Sequence, residues 1–165
     1  MTKLSDIYGN FFLGVDYVKV SDVKAYNVDG GSFTLGAWRT RDINTEDSDD
    51  SSICTIDSNQ ITLEAGTYIC TIKAGGYGVN MHAARLYNIS DSAVELVGMT
   101  AKTVTGYYAT TNSCITGKFT ISTQKTFEVQ HRCFTSQATS GFGLAHSFSD
   151  QDNIYTVAEF RRVAS

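Results

Sequence analysis

Apolar and polar residues alternate with a period of two along most of this chain. In the segment FEVQHRC, for example, Phe127, Val129, His131 and Cys133 alternate with the charged or amide side chains of Glu128, Gln130 and Arg132. Successive side chains of a β-strand point to opposite faces, so this pattern predicts strands with one buried and one exposed side. No stretch shows a sustained helical period of 3.6. The predicted strands cover residues 13–20, 22–28, 33–40, 53–56, 60–63, 67–74, 80–88, 93–99, 113–122, 125–133, 141–147 and 154–163.

Turns rich in Gly, Asn, Asp and Ser separate these strands at intervals of about ten residues, which is typical of an antiparallel sandwich or barrel. The chain has 165 residues, with 14 Gly and no Pro. This length favours a single domain. The Asp-Gly-Gly turn at residues 29–31 is expected to separate an N-terminal arm, residues 1–31, from a compact domain over residues 32–165.

The period of two also assigns side chains to faces. In the last predicted strand, Ile154, Ala158 and Phe160 are expected to face the core. The opposite face is only half polar, and apolar side chains on a terminal strand predict that something covers them, such as another subunit. The side chains on that face, which are the candidates for a subunit interface, are Tyr155, Val157, Glu159 and Arg161.

Residues 41–52, RDINTEDSDDSS, contain five carboxylates and interrupt the alternation. The segment is predicted to be a solvated loop. A cation site is the alternative, although the segment lacks the glycine and the terminal glutamate of an EF-hand loop.

Residues 100–113 form a second polar interruption, which contains the pair Tyr107 and Tyr108. Loops rich in Tyr, Ser, Thr and Asn are common in recognition surfaces, because tyrosine offers contact area at a low entropic cost. These two tyrosines are therefore candidates for an exposed recognition loop, with a plain mobile loop as the alternative.

No catalytic motif is present. The four cysteines, at positions 54, 70, 114 and 133, are too far apart for a zinc or redox motif and are predicted to be reduced and buried. The histidines are His82, His131 and His146, each in a strand-like context, and His131 is expected to lie in the core or an interface. We therefore predict no catalytic residues, no cofactor and no metal ligands, although a three-fold assembly could bring three copies of one histidine together.

The net charge of −4 and the scattered cations argue against nucleic-acid binding, which usually requires a basic stripe. No segment is long and apolar enough to predict membrane insertion. The apolar stretch FFLGV at residues 11–15 is too short for the hydrophobic region of a secretion signal, so we expect the chain to fold in a cytosol.

Several segments together resemble the jelly-roll domain of bacteriophage tail-fibre tips and related virion proteins, a fold akin to the globular heads of the tumour necrosis factor and complement families. The N-terminal segment SDIYGNFF, residues 5–12, also resembles short proteins of phages that infect cyanobacteria. The segments that carry the main resemblance are WRTRDINT (38–45), NQITLEAGTY (59–68), HAARLYN (82–88), GKF (117–119), GFG (141–143) and IYTVAEF (154–160).

The resemblance implies an all-β antiparallel jelly-roll sandwich that forms a homotrimer, with the last strand in a five-stranded inner sheet facing the three-fold axis. It implies that Glu159 and Arg161 pair across the interface or line a polar part of the axis. It also implies a virion protein, assembled in the host cytoplasm, that contacts other virion proteins through its N-terminal arm.

Two functions remain open at this point. The first is a tail-fibre tip that binds a bacterial surface polysaccharide or an outer-membrane receptor. The second is a trimer that decorates the capsid. A carbohydrate-cleaving tailspike is less consistent with the sequence, because such an enzyme needs paired carboxylates in a cleft.

Overall fold

The computed structural model describes residues 15–103 and 109–164, and these residues form strands and connecting turns. They contain no helix that is long and apolar enough to cross a membrane. The strands are β1 Asp16–Lys24, β2 Arg39–Thr40, β3 Thr45–Asp49, β4 Cys54–Asp57, β5 Gln60–Leu63, β6 Gly66–Tyr77, β7 Met81–Asn88, β8 Ala93–Val97, β9 Ala101–Lys102, β10 Thr110–Ile121, β11 Lys125–Cys133 and β12 Asn153–Ala164.

The strands form two sheets that pack face to face. The first sheet has five strands in the order β10-β6-β12-β1-β3. The second has the order β4-β5-β11-β7-β8, with β2 added beside β11 and β9 added beside β7. All strand pairs are antiparallel. Consecutive strands repeatedly cross between the sheets, which is the arrangement of a jelly-roll sandwich.

The core lies between the sheets and follows the predicted alternation. On β6, Tyr68, Cys70 and Ile72 are buried, and on β11 Phe127 and Val129 are buried. Burying each large apolar side chain stabilises the fold by about 1.5–3 kcal/mol. The inward-facing residues of these strands are therefore confirmed.

The acidic segment differs from the prediction of a loop, because residues 45–49 form β3 at the edge of the five-stranded sheet. Its carboxylates are used in local contacts: Asp47 accepts a hydrogen bond from Ser21 Oγ at 2.7 Å, and Asp49 accepts from the backbone amides of Ile53 and Cys54. An edge strand tolerates charged side chains since one of its sides faces water. This strand forms through its backbone pairing with β1, although its own sequence does not alternate between apolar and polar residues.

Residues 141–147 are not the predicted strand. Backbone hydrogen bonds to another loop hold this segment in an irregular conformation, with Gly30 N donating to Gly143 O at 2.9 Å and Phe142 N donating to Gly31 O at 3.1 Å. The strand predicted over residues 33–40 is likewise reduced to a single bridge at Phe33 and the two residues of β2.

The N-terminal arm predicted over residues 1–31 is not independent of the compact domain over its whole length. β1 lies between β12 and β3 and pairs with both, so residues 16–24 are part of the sandwich. Strand β1 also replaces the two strands predicted over 13–20 and 22–28. Residues 1–14 lie outside the described residues.

The assignment of Ile154 to the core is wrong. A register shift opposite β1 places Ile154 beside Val23, while Thr156 pairs with Asp22. Ile154 is consequently 53% exposed and Thr156 is fully buried. Ala158 and Phe160, beyond the irregularity, face the core as predicted.

Candidate functional site

The outward side of the five-stranded sheet carries the predicted interface residues, and we call this surface the assembly face. Thr156, Ala158 and Phe160 of β12 point into the core, so the residues between them point outward. Strand β12 has β6 on one side and β1 on the other, which places its outward residues near the middle of the sheet. The assembly face is centred on Tyr155, Val157, Glu159 and Arg161.

Glu159 and Arg161 both contact Tyr17 of the neighbouring strand β1. The Tyr17 hydroxyl donates to Glu159 Oε1 at 2.7 Å, and the Arg161 guanidinium carbon lies 5.6 Å from the centre of the Tyr17 ring. Burial and the hydrogen bond to Glu159 raise the pKa of Tyr17. Within one chain, therefore, Tyr17 bridges the two charged residues.

Val157 lies beside a shallow depression of about 90 Å³ lined also by Thr71, Lys73 and Glu159. Lys73 is exposed and sits directly opposite Val157 on β6. Among residues 15–103 and 109–164 it has no hydrogen-bond or ion-pair partner. The centre of the sheet thus offers an unfilled space and an unpaired cation.

Two exposed apolar side chains lie farther along the strands that border this depression. Ile69 is 43% exposed and Val163 is 45% exposed, although both lie on long paired strands. Side chains such as these lose contact with water when a second surface packs on the sheet. The assembly face is therefore mixed, with a small apolar area among hydroxyl and charged groups.

Tyr155 differs from the other three residues because its own chain holds it in place. Its hydroxyl donates to Val28 O at 2.7 Å, and its ring packs over Gly30 and Gly143, where any side chain would collide with it. Burial raises the pKa of Tyr155 to about 12. This residue anchors the loop before β2 to β12, a role that the sequence alone did not indicate.

The recognition-loop candidates Tyr107 and Tyr108 lie outside the described residues. Their predicted role stays a prediction.

The cysteine side chains are not arranged for nucleophilic catalysis. All four are free, and Cys54, Cys70 and Cys133 are buried. Burial raises the pKa of the Cys54 and Cys70 thiols to about 12 and that of Cys133 to about 11. These groups are therefore neutral thiols near pH 7, whereas a nucleophile needs the thiolate.

His82 and His131 form a hydrogen-bonded pair inside the sandwich. His82 Nδ1 lies 2.8 Å from His131 Nε2, and His82 Nε2 lies 2.8 Å from Thr111 Oγ1. The two rings are 3% and 0% exposed, which confirms His131 as a core histidine. No group of three or more His, Cys, Asp or Glu able to hold a metal ion occurs within the part of the chain that the structure describes.

Arg41 is the most deeply buried charged residue near this pair, and the sequence analysis missed it. Its guanidinium donates to Thr156 Oγ1 at 2.7 Å and to the carbonyl oxygens of Gly75, Phe142 and Tyr155 at 2.9–3.2 Å. It also lies over the Phe142 ring, 4.1 Å from its centre. The only signal in the sequence was the alternation of Arg41 with buried Ile43.

Comparison by sequence finds no relative, since no protein-family model and no curated protein matches the chain. Solved structures do share the fold. The globular domain of zebrafish complement 1qA protein superimposes with a TM-score of 0.57 at 11% identity, covering 90% of this chain and 97% of that one. Murine APRIL at pH 5.0 superimposes with a TM-score of 0.59 at 6% identity, covering 90% and 99%.

Identities this low show the fold alone. The chain has the jelly-roll fold seen in these complement and tumour-necrosis-factor-like domains. The predicted all-β antiparallel sandwich is confirmed.

Proposed function

We propose that this protein is a non-enzymatic homotrimeric module of a bacteriophage virion, which acts at a tail-fibre tip to bind the host surface. The observation that carries the proposal is the assembly face, where an unfilled depression lies beside Val157 and Lys73 near the middle of the sheet, with Ile69 and Val163 exposed towards one end of it. The likeness of the sequence motifs to tail-fibre jelly rolls supports the virion setting.

Self-association accounts for several features of the assembly face at once. A neighbouring subunit would fill the depression beside Val157 and cover Ile69 and Val163. It would also bring a partner to Lys73, whose ammonium group has none among the described residues. The rest of the face is polar, so the proposed interface contains hydrogen bonds and charges as well as apolar contacts.

The non-enzymatic part of the proposal has two supports. The buried cysteines have raised pKa values, and the described residues contain no metal-binding cluster. The described residues therefore offer neither a thiolate nucleophile nor a cluster that could hold a catalytic metal ion.

A change of Val157 to lysine is expected to dissociate the trimer. The long side chain would reach water in a single subunit, so the monomer should still fold. In an assembly it would place several unpaired cations in a buried interface, which is strongly unfavourable. Light scattering should show the mass falling from about 54 kDa, three chains of 18.0 kDa, to that of one chain.

The matched control is Val97→Lys. Val97 is 72% exposed on the other sheet, so this variant should remain at the trimer mass. Circular dichroism should give the same folded spectrum for both variants. A wild-type protein of one-chain mass, or a Val157→Lys variant that stays trimeric, would remove the basis of the proposed assembly.

Antibody labelling of whole particles in electron micrographs separates the two virion functions. Label at the distal end of the tail is the expected result, together with competition between the purified trimer and phage for host cells. Label distributed over the head would replace the tail-fibre proposal with capsid decoration. Protein absent from particles would contradict both.

A further inference from the structure

On the outward side of the second sheet, two aromatic rings enclose a guanidinium. The Arg85 guanidinium carbon lies 4.2 Å from the centre of the Trp38 ring and 4.9 Å from that of the Tyr87 ring. Arg85 Nε and Nη2 both donate to Gln130 Oε1, at 2.9 and 2.7 Å. These contacts hold Arg85 against the Trp38 ring.

Beside Trp38 lies an open depression of about 260 Å³, whose apolar lining includes Met81, Ala83 and Phe134. Ala83 is opposite Arg132 in the register of β7 and β11, and its small side chain leaves the surface low at this point. The volume is slightly below the range of about 300–1,000 Å³ for pockets that take drug-sized ligands. It suits one ring-sized unit of a larger ligand.

Arg132, at the rim of the depression, is exposed and has no hydrogen-bond or ion-pair partner in the described residues. Arg85 is held by a neutral amide and likewise has no carboxylate partner among them. The nearby carboxylate of Glu128 already accepts hydrogen bonds from Thr40, Gln60 and Gln130. Two guanidinium groups, those of Arg85 and Arg132, therefore lie at or near the depression without a carboxylate partner among the described residues, on a protein whose net charge is −4.

We propose that this depression binds one acidic sugar unit, such as a hexuronic acid, of a polysaccharide. The apolar face of the sugar ring would pack on Trp38, because the indole provides a large flat surface. The sugar carboxylate would pair with Arg132, since a guanidinium offers two parallel donors to a carboxylate. Gln130 and Glu128, which share the outward face of β11 with Arg132, would exchange hydrogen bonds with hydroxyl groups of the next unit.

A saccharide fits this surface better than a peptide. At the depression, β7 pairs with β11 and, through His82, with β9, while β2 covers β11 only as far as His131. Among the described residues this leaves only Arg132 and Cys133 of β11 without a strand partner on that side, an edge too short for strand addition. Recognition must then use side chains, and the available groups are a flat ring, an unpaired cation and neighbouring amide and carboxylate groups. The inference rests on the receptor-binding part of the proposed function and names its ligand class.

Trp38 is the single tryptophan of the chain, so its fluorescence reports directly on the site. We would titrate the full chain separately with oligogalacturonate, oligomannuronate and a hyaluronan oligosaccharide. At least one should change the emission, with a Kd of about 0.1–1 mM. The methyl ester of the binding uronate, which has the same ring without the charge, should bind about tenfold more weakly or worse.

Two variants and one control variant assign the effect to the site. Arg132→Gln should weaken binding by about tenfold or more, whereas Lys118→Gln removes an exposed cation from the opposite sheet and should not change the affinity. Ala83→Leu fills the depression from an outward-facing position and should abolish the response to the acidic sugar. All three changes replace side chains outside the core, so the proteins should remain folded.

The inference is overturned if none of the three uronates changes the emission at concentrations up to about 10 mM, which is well above the expected Kd. It is also overturned if the ester binds equally well, or if oligoglutamate binds as tightly with the same dependence on Arg132. A trimer that labels the tail but ignores all three sugars would refute this ligand class and leave the proposed function standing. A protein that is monomeric and absent from particles, but still binds a uronate, would refute the proposed function and leave this ligand class standing.

Discussion

Replacing Arg41 by methionine is expected to lower the free energy of unfolding by about 3–5 kcal/mol, because each buried carbonyl oxygen left without its donor costs about 1–3 kcal/mol. The side chain is fully buried, and its guanidinium donates to three backbone carbonyls that belong to three separate segments. Methionine has a similar length but no donor. The carbonyl oxygens of Gly75, Phe142 and Tyr155 would then lie in the interior without their partner, which is costly.

The loss of charge adds to this effect. Asp22 is 1% exposed and depends on Lys24, at 3.1 Å, and on the field of Arg41 to remain ionised. Burial raises the pKa of Asp22 and lowers the pKa of Arg41 to about 10. Removing the arginine therefore leaves a buried carboxyl with one cation fewer nearby.

Urea unfolding at one fixed protein concentration measures the change, because the stability of the proposed trimer would depend on protein concentration. Arg39→Met is the matched control. Arg39 is exposed and donates to a single carbonyl, that of Thr34, so its loss should cost less than about 0.5 kcal/mol. Equal stabilities of the two variants would show that the Arg41 hydrogen bonds do not hold the three segments together.

Lowering the pH from about 7.5 to 5 is expected to remove about 4 kcal/mol of stability through His82 and His131. Burial, with a contribution from the Arg41 charge, lowers the pKa of His82 to about 4 and that of His131 to about 2. In the unfolded chain a histidine has a pKa of about 6.5. Between these values the unfolded chain binds more protons, so the stability is complete above pH 6.5 and falls as the pH falls towards 4.

The geometry explains why the pair resists protonation. One shared proton satisfies the contact between His82 Nδ1 and His131 Nε2. His131 Nδ1 is buried without a hydrogen-bond partner in the described residues, and the rings of Phe33 and Phe142 lie against the imidazole. A proton added at that nitrogen would have no acceptor.

Chemical unfolding measured across this pH range should give a slope of about 2.7 kcal/mol per pH unit below pH 6, which corresponds to two protons. The variant His131→Phe should have about half this slope. The raised pKa of Asp22 acts in the opposite direction in both proteins, so it cancels in the comparison. A flat wild-type profile, or an unchanged slope in the variant, would disprove the assignment.

Much of the fold could be predicted because the signal is local. A period of two determines which side chains of β6, β10 and β11 share a face, and burial of the apolar face drives those strands together. The outward position of Val157, Glu159 and Arg161 followed from the same rule. The prediction for Ile154 was wrong because a bulge between strands far apart in sequence resets the alternation.

The chemistry of the interior could not be predicted in the same way. His82 and His131 are 49 residues apart, and the acceptors of Arg41 lie 34 to 115 residues away. A charged segment became β3 because β1 offered it a hydrogen-bonding edge. The pairing of Trp38 with Arg85 likewise depends on β2 and β7 lying on either side of β11.

By itself, then, the sequence determined the all-β class and the two faces of most long strands, since both depend on residues that are neighbours along the chain. The tertiary structure alone decided that Arg41 and the two histidines are buried together and that Arg132 is left unpaired beside a depression. Those outcomes depend on partners that distant segments supply, and no local pattern records which segments will meet.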